Sequence, residues 1–341
     1  MKKVSIILVL LLLLGLLFTG SGCTSQTQVP EEGEGELIKL RLSEVIRSMF
    51  YAPQYVAISK GFFRDEGLDI TLGTAWGADM GAAALISKTA DVALFGPEAA
   101  IYICAQGAEN PIIAFAQLTS KDGSFLVGRE PEPDFEWENV KGKVIIGGRK
   151  GGVPQMTLEY ALKKNGIEPF VDVDIIQNIH LSATAGAFSG GTGDYVQLWQ
   201  PGPAVLEDEG VGYTVASLGA ATGLCPNTVF HATENFIEEN PEIIKKFTTA
   251  VYKAMLWVEE NPAPEVADAI EMFFPDTGHE IITKTIEVYK GLDIWAPNPI
   301  LQKESLDRLQ DIMILAGELE EKVPYEKVVN TTFAQEVMSA P

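Results

Sequence analysis

The sequence predicts an α/β protein of two lobes, each a mainly parallel sheet flanked by helices, joined by two hinge crossings. The apolar run Val92–Phe95 is typical of a buried strand, and Gly96-Pro97 then turns it into a stretch with helical spacing. Proline marks a similar strand-to-helix turn at Pro53, Pro154 and Pro201. This series of strands and helices breaks after Thr119 and resumes with a new strand at Ser124. The break predicts a second lobe inserted into the first.

The N-terminus predicts a targeting segment. Lys2 and Lys3 precede an apolar run over residues 4–18, and small residues then lead to Cys23. We expect residues 1–22 to be a lipoprotein signal peptide and Cys23 to carry the lipid. Gly20 stands where bacterial lipoproteins usually have Leu, which leaves plain secretion or an uncleaved anchor open. Residues 23–36 are polar and predict a flexible tether.

We expect lobe 1 to contain residues 37–121 and 223–341, and lobe 2 to contain residues 122–222. The predicted strands of lobe 1 are 37–42, 67–72, Val92–Phe95 and 111–118. Its first helices are predicted after Pro53, over 80–87 and after Pro97. The predicted strands of lobe 2 are 124–127, Val144–Ile146, 173–176, 195–198 and Tyr213–Ser217, with helices over 154–165, 183–188 and 203–209.

The C-terminal part of lobe 1 is predicted to be helical from Asn240. Pro241 fits the first helical position, and an apolar stripe follows at helical spacing. The stripe consists of Ile244, Phe247, Val251, Met255 and Val258. Further helices are predicted over residues 279–290 and 302–319.

Composition narrows the function classes. The net charge of −22 argues against nucleic acid and against electrostatic attachment to anionic lipid. Three histidines, His180, His231 and His279, lie far apart without metal-ligand spacing. Residues 147–153 resemble a phosphate loop only superficially, because Val153 stands where that loop needs Lys. We therefore expect binding rather than catalysis, with no cofactor and no metal.

Two cysteines, Cys104 and Cys225, remain beyond the predicted lipid site. Cys104 has apolar neighbours on a predicted helix, where a free cysteine commonly packs as a small hydrophobe. A disulfide between the two stays open, and we expect them to be free.

Aromatic residues gather at the loops that follow the predicted strands: Phe50, Tyr51, Trp76, Phe95 and Trp199. Parallel-sheet geometry brings such loops to one edge, where helix N-termini also offer free N–H groups. We expect aromatic walls to hold the body of a ligand and helix N-termini to hold its polar end. Glu98 could accept a hydrogen bond from a ligand amine or simply complement the helix dipole.

Several segments resemble a known family. They are residues 52–57 (APQYVA), 60–63 (KGFF), 66–70 (EGLDI), 90–92 (ADV), 96–98 (GPE) and 123–127 (GSFLV). The chain is similar to solute-binding proteins of ABC importers, in the nitrate/sulfonate/taurine family to which thiamine-pyrimidine binding proteins are related. The resemblance implies a periplasmic-binding-protein-like fold of type II that closes on its ligand by hinge motion and docks on a membrane permease.

The resemblance also implies a site in the loops after the strands. The expected ligand-binding residues are Phe50, Tyr51, Gln54, Trp76, Gly77, Phe95, Gly96, Glu98, Thr119, Gly152, Gln155, Met156, Trp199 and Gln200. Relatives often carry an acid at the position of Gln200, and few basic residues fall in these loops. A sulfonate, taurine or nitrate and an uncharged heterocycle such as a thiamine pyrimidine or other vitamin precursor therefore both stay open.

The expected partners are a small-molecule ligand and a permease, with a sensor as the alternative, and the protein is expected to be a monomer. Its expected place is the outer face of the cytoplasmic membrane or the periplasm. Pyrimidine-synthase enzymes of this fold depend on a cysteine-rich motif and a critical histidine. Neither feature is present in the sequence, so the enzyme interpretation is disfavoured.

Overall fold

Ten strands form two separate five-stranded sheets in the computed structural model, which describes residues 36–339. The first sheet has the order β2-β1-β3-β10-β4, and the second has the order β7-β6-β8-β5-β9. In each sheet the strand next to one edge runs antiparallel to its neighbours, and the paired strands elsewhere are parallel. The predicted signal peptide, Cys23 and nearly all of the predicted tether lie outside the described residues.

The first sheet is built from strands that the sequence mostly predicts. Its strands are β1 (Ile38–Glu44), β2 (Leu68–Thr74), β3 (Val92–Phe95), β4 (Ile112–Gln117) and β10 (Val229–Thr233). All residues of β3, β4 and β10 are buried, as expected for central strands covered by helices on both faces. β10 lies between β3 and β4 and was not predicted.

The second sheet uses the strands of the inserted segment. They are β5 (Ser124–Gly128), β6 (Val144–Ile146), β7 (Asp174–Ile176), β8 (Tyr195–Trp199) and β9 (Tyr213–Ser217). Each was predicted to within two residues. Each sheet thus has the strand order 2-1-3-n-4, in which n is the strand that arrives from the other sheet, and the predicted two-lobe, type II fold is confirmed.

Two connections join the sheets. The chain leaves the first sheet after Gln117 and returns to it at Val229. The connections lie side by side, because the Thr119 and Thr228 hydroxyls are 2.8 Å apart and the Thr228 N–H donates to Thr119 Oγ1 at 2.9 Å. The boundaries given above for the two lobes stay a prediction.

Fourteen helices are present in residues 36–339. Those of the first series are α1 (Ala52–Ser59), α2 (Phe62–Asp65), α3 (Ala78–Ile86) and α4 (Glu98–Ala105). Lobe 2 contains α5 (Val153–Lys164), α6 (Thr184–Ser189), α7 (Gly202–Asp208) and α8 (Leu218–Thr222). The chain then forms α9 (Glu234–Glu239), α10 (Pro241–Glu260), α11 (Ala263–Ile270), α12 (His279–Gly291), α13 (Lys303–Leu315) and α14 (Thr332–Ser339).

Helix α10 confirms the apolar stripe, since all five of its predicted residues are buried. The sequence interpretation missed five helices, α2, α8, α9, α11 and α14, because none has more than eight residues, fewer than the window of about 11–18 residues over which helical spacing is judged. Strand β1 extends two residues beyond its predicted end, to Glu44, and Met49–Tyr51 form a 3₁₀ turn that was not predicted. None of the described helices has the length and apolar character needed to cross a bilayer.

The two lobes share part of their core. Val153 and Met156 of α5 pack in one buried cluster with Ile101 of α4 and Leu309 of α13. Tyr102 donates a hydrogen bond to the Gly151 carbonyl at 2.8 Å, from the first series to the second. These contacts hold the loops of the two sheets against each other.

Candidate functional site

A cavity of about 530 Å³ is lined by the loops that follow the parallel strands of both sheets. Each of the four proline-marked turns contributes to its wall, in chain order with Tyr51, Gly96, Gly152 and Trp199. The volume falls in the range of roughly 300–1,000 Å³ that is usual for small-molecule sites. The cavity is therefore the candidate ligand site.

Four aromatic residues line this cavity: Tyr51, Trp76, Tyr102 and Trp199. Tyr51 is 3% exposed, Trp199 is half-buried and Trp76 is 43% exposed. Trp76 adopts a left-handed backbone conformation with φ of 63°, which costs a bulky residue about 1–2 kcal/mol. Its N–H donates to the Val45 carbonyl at 2.9 Å, so the surrounding backbone helps to hold this conformation. Of the five aromatic residues expected at the site, Tyr51, Trp76 and Trp199 line the cavity, whereas Phe50 and Phe95 do not.

Glu98 is a buried acid in the cavity wall. It is the first residue of α4 and only 4% exposed. Burial raises its pKa to about 7. Its Oε1 accepts a hydrogen bond from the Val153 N–H of α5 at 3.4 Å, whereas Oε2 has no partner among the described residues. A methyl group on Gly96 would clash with Oε2 in this position, so glycine at residue 96 leaves room for the carboxylate.

The position of Glu98 changes what the helix N-termini can bind. The carboxylate lies at the start of α4 and takes up the first N–H of α5. An anion bound at a helix N-terminus would need such N–H groups. The protein therefore places its own acid where an anionic ligand was expected to rest.

Two basic residues of the wall face acids. Arg149 makes a bidentate pair with Asp79, with Nη1–Oδ1 at 2.7 Å and Nη2–Oδ2 at 3.2 Å. Lys150 Nζ is 4.0 Å from Glu318 Oε1. The Arg149–Asp79 pair connects the loop after β6 with the first turn of α3, and it therefore spans the two lobes. A methyl group on Gly77 would clash with Asp79 Oδ1 and with Arg149 Nη1, so the close approach of this ion pair to the Gly77 backbone also depends on glycine.

Asn227 is a wall residue that the sequence interpretation missed. It is 5% exposed, and its Nδ2 has no hydrogen-bond partner among the described residues. It lies just before β10, whose Val229 pairs with Phe95 of β3. The β-branched and aromatic run Val229–Thr233 could have revealed the strand. Without the strand, nothing in the sequence connects Asn227 with the Gly96-Pro97 turn.

Seven of the expected site residues line the cavity: Tyr51, Trp76, Gly77, Gly96, Glu98, Gly152 and Trp199. The other seven lie behind the wall. Thr119 is fully buried against Thr228, which itself lines the cavity. The Gln200 carbonyl accepts a hydrogen bond from Ser48, its side chain accepts one from the N–H of Ala204 in α7, and its peptide bond to Pro201 is cis. The carbonyl and side chain of Gln200 thus stabilise the turn between β8 and α7.

Two buried aromatic residues also lie behind the wall. Phe50 is 1% exposed and packs 5.9 Å from the Tyr289 ring, measured between centroids. Phe95 is fully buried and stacks on His231 at 4.1 Å. Both side chains belong to the packed interior, so we remove them from the proposed contact set.

Three buried polar or flexible residues are likewise occupied by protein contacts. Gln54 donates to Glu44 Oε2 at 2.8 Å, in a network that fixes the loop after β1. Gln155 donates to Glu159 Oε1 at 2.8 Å. Met156 belongs to the buried cluster shared by α4, α5 and α13. We remove these three from the proposed contact set as well.

The histidines and cysteines lie apart from one another. His231 is fully buried in β10, where burial lowers its pKa to about 3, and His180 lies at the surface with its ring centroid 6.2 Å from that of Trp76. His279 lies on the surface beside Asp268 and Glu271, a group that could hold a metal ion and that is exposed throughout. Cys104 and Cys225 are both free, as expected.

The two sheets, their strand orders and the two connections between them define the class: a protein with the periplasmic-binding-protein fold. The alkanesulfonate-binding protein SsuA of Xanthomonas axonopodis, bound to MOPS, has the same fold with a TM-score of 0.71. The two are 16% identical, and the match covers 87% of this chain and 99% of that one.

Sequence comparison then gives the family. The model for the family described as NMT1/THI5 like matches residues 49–265, and the chain belongs to this family. The protein named "Putative binding protein YtlA" of Bacillus subtilis is 46% identical over 306 residues, which are 90% of this chain and 92% of that protein. The riboflavin-binding protein RibY of Chloroflexus aurantiacus is 22% identical over 68% of this chain and 65% of that protein. The expected resemblance to importer binding proteins is thereby confirmed.

Proposed function

We propose that this chain captures a small solute in the 530 Å³ cavity and delivers it to the permease of an ABC importer. The cavity carries the proposal, because loops of both sheets line it and its size suits a small molecule. Family membership and the 46% identity to a protein named as a binding protein support the same function. We further propose that Cys23 is lipidated and holds the protein, as a monomer, outside the cytoplasmic membrane.

For the ligand, we propose a heterocycle with hydrogen-bond donors rather than a sulfonate or nitrate. Above its pKa of about 7, Glu98 is ionised and would repel an anion, and it already accepts a hydrogen bond from the Val153 N–H that could have bound one. Arg149 and Lys150, the basic residues of the described wall, each face an acid. The relatives named as binding proteins differ in ligand, alkanesulfonate in one and riboflavin in another, so the fold admits either class.

The aromatic side chains fit the body of such a ligand. Tyr51 and Trp199 present rings from different lobes, and Trp76 stands at the more exposed part of the wall. Flat heterocycles stack on such rings, and each stack contributes about 1–3 kcal/mol. We propose that hinge closure brings these rings onto the ligand from both lobes.

A thermal-shift series tests the proposal. Uracil, cytosine, riboflavin, methanesulfonate, taurine and nitrate are each titrated against the mature chain, because a ligand that binds only the folded state raises Tm. We expect at least one heterocycle to raise Tm in a saturable manner. A rise in Tm with methanesulfonate or nitrate, and with none of the heterocycles, would show instead that the ligand is an anion. No rise with any of the six, at 10 mM or, for riboflavin, at its solubility limit, would contradict a small-solute site of this kind.

A further inference from the structure

Two polar atoms in the cavity wall are left without partners. Glu98 Oε2 is an acceptor and Asn227 Nδ2 is a donor, and each is buried without a hydrogen bond among the described residues. An unsatisfied buried polar group destabilises the folded protein, so most buried polar atoms have a hydrogen-bond partner. Here two of opposite hydrogen-bonding character belong to residues that line the same cavity.

The sheet register brings these residues together. Val229 of β10 is paired with Phe95 of β3 in an antiparallel ladder. Asn227 precedes Val229 by two residues and Glu98 follows Phe95 by three, so the start of β10 and the start of α4 lie at the same edge of the first sheet. Both residues line the cavity there.

We infer that Glu98 and Asn227 together recognise an amide or amidine edge of the ligand, in which an N–H donor stands beside an acceptor. The N–H of the ligand donates to Glu98, and its carbonyl oxygen or ring nitrogen accepts from the Asn227 amide. Pyrimidinones, aminopyrimidines and the flavin ring carry such an edge. This inference rests on the proposed function, and it names Asn227 as a specificity-determining residue.

The same pair excludes the competing ligand class. Sulfonate and nitrate groups offer only acceptors, so at pH 8 they would leave the ionised Glu98 unpaired and place a second negative charge beside it. A buried acceptor that loses its partner costs a large part of the binding energy, which makes such a pair selective. The loops of both lobes then close over a ligand whose donor–acceptor edge is already bound by Glu98 and Asn227.

Matched probes test the edge directly. Binding of uracil and of 1,3-dimethyluracil is measured calorimetrically at pH 8, since methylation removes both N–H donors and keeps both carbonyls. The same measurement follows with 4-aminopyrimidine against pyrimidine. We expect each donor-bearing probe to bind about 10- to 100-fold more tightly than its partner, the usual effect of a hydrogen bond to a charged group.

Variants assign the effect to the two residues. In Glu98→Gln, a near-isosteric change, the preference for uracil over 1,3-dimethyluracil should fall to about threefold or less. Asn227→Ala should weaken uracil about 2- to 10-fold. Asn235→Ala, an exposed asparagine just after β10, is the control and should bind as the wild type does. Melting curves of each variant without ligand verify folding.

The outcomes separate the inference from the proposed function. Equal affinity for the methylated and unmethylated probes, or a preference that survives Glu98→Gln, overturns the inference while a small-solute site remains. Tight binding of methanesulfonate or nitrate instead of the heterocycles would likewise overturn the inference and leave a small-solute site in place. Failure of every probe at 10 mM overturns both.

Discussion

Glu98→Gln should stabilise the ligand-free protein at high pH although it removes a proposed binding group. Burial raises the Glu98 pKa from 4.5 to about 7. A carboxyl with a raised folded-state pKa contributes stability that is present below pH 4.5 and lost as the pH rises through 7. A difference of about 2.5 pKa units corresponds to ~3 kcal/mol lost at pH 8, whereas less than about 1 kcal/mol is lost at pH 5. Glutamine carries no charge, so it avoids this loss.

Urea unfolding of the wild type and Glu98→Gln at pH 5 and pH 8 measures the effect. We expect the variant to be within about 1 kcal/mol of the wild type at pH 5 and about 2–3 kcal/mol more stable at pH 8. Glu280→Gln is the matched control, because Glu280 also lies in the first turn of a helix, α12, but is exposed. A stability difference for Glu98→Gln that is the same at both pH values would refute the reasoning.

Three further substitutions have distinct expected results. Trp76→Ala should weaken ligand binding by about 1–3 kcal/mol with little change in the Tm of the ligand-free protein, measured by calorimetry and melting; lost stability with unchanged affinity would remove Trp76 from the site. Arg149→Gln should change the free energy of unfolding by less than about 1 kcal/mol, because its pair with Asp79 is exposed, yet raise the ligand dissociation rate in stopped-flow fluorescence. An unchanged rate would show that the pair does not hold the lobes closed. Cys23→Ser should release the protein from the membrane fraction, and full retention would contradict the lipid anchor.

Local sequence patterns predicted most of the framework. A buried strand, a glycine or proline turn and a helix start lie within about ten residues of one another, so their signals need no knowledge of distant contacts. The four proline-marked turns therefore led to four of the loops that line the cavity. The run Val229–Thr233 carried a strand signal, but the place of β10 in the sheet was not predictable, because it depends on pairing with β3 and β4, more than a hundred residues earlier.

The direction of individual side chains was beyond the sequence patterns. Phe50 and Tyr51 are neighbours in one turn, but only Tyr51 lines the cavity. Phe95 ends its strand on the side that packs against His231. Sequence position told us which loops meet, and packing decided which side chain of each loop faces the space between them.

Long-range pairs were also invisible in the sequence. Asp79 and Arg149 are seventy residues apart, and their ion pair shows that the basic residue of that loop faces an acid rather than an open site. The Glu98 contact with Val153 has the same consequence for the start of α5. These two contacts shift the proposed ligand from an anion to a donor-bearing heterocycle.

Native mass spectrometry tests the central claim, that the cavity holds a small heterocycle through Glu98. The mature wild type and Glu98→Gln are each incubated with an equimolar mixture of uracil, cytosine, riboflavin, methanesulfonate and nitrate. The account predicts a one-to-one complex of the wild type with one of the heterocycles, and much less of that complex for Glu98→Gln. A complex with methanesulfonate or nitrate, or a heterocycle complex of equal abundance in both proteins, would contradict it.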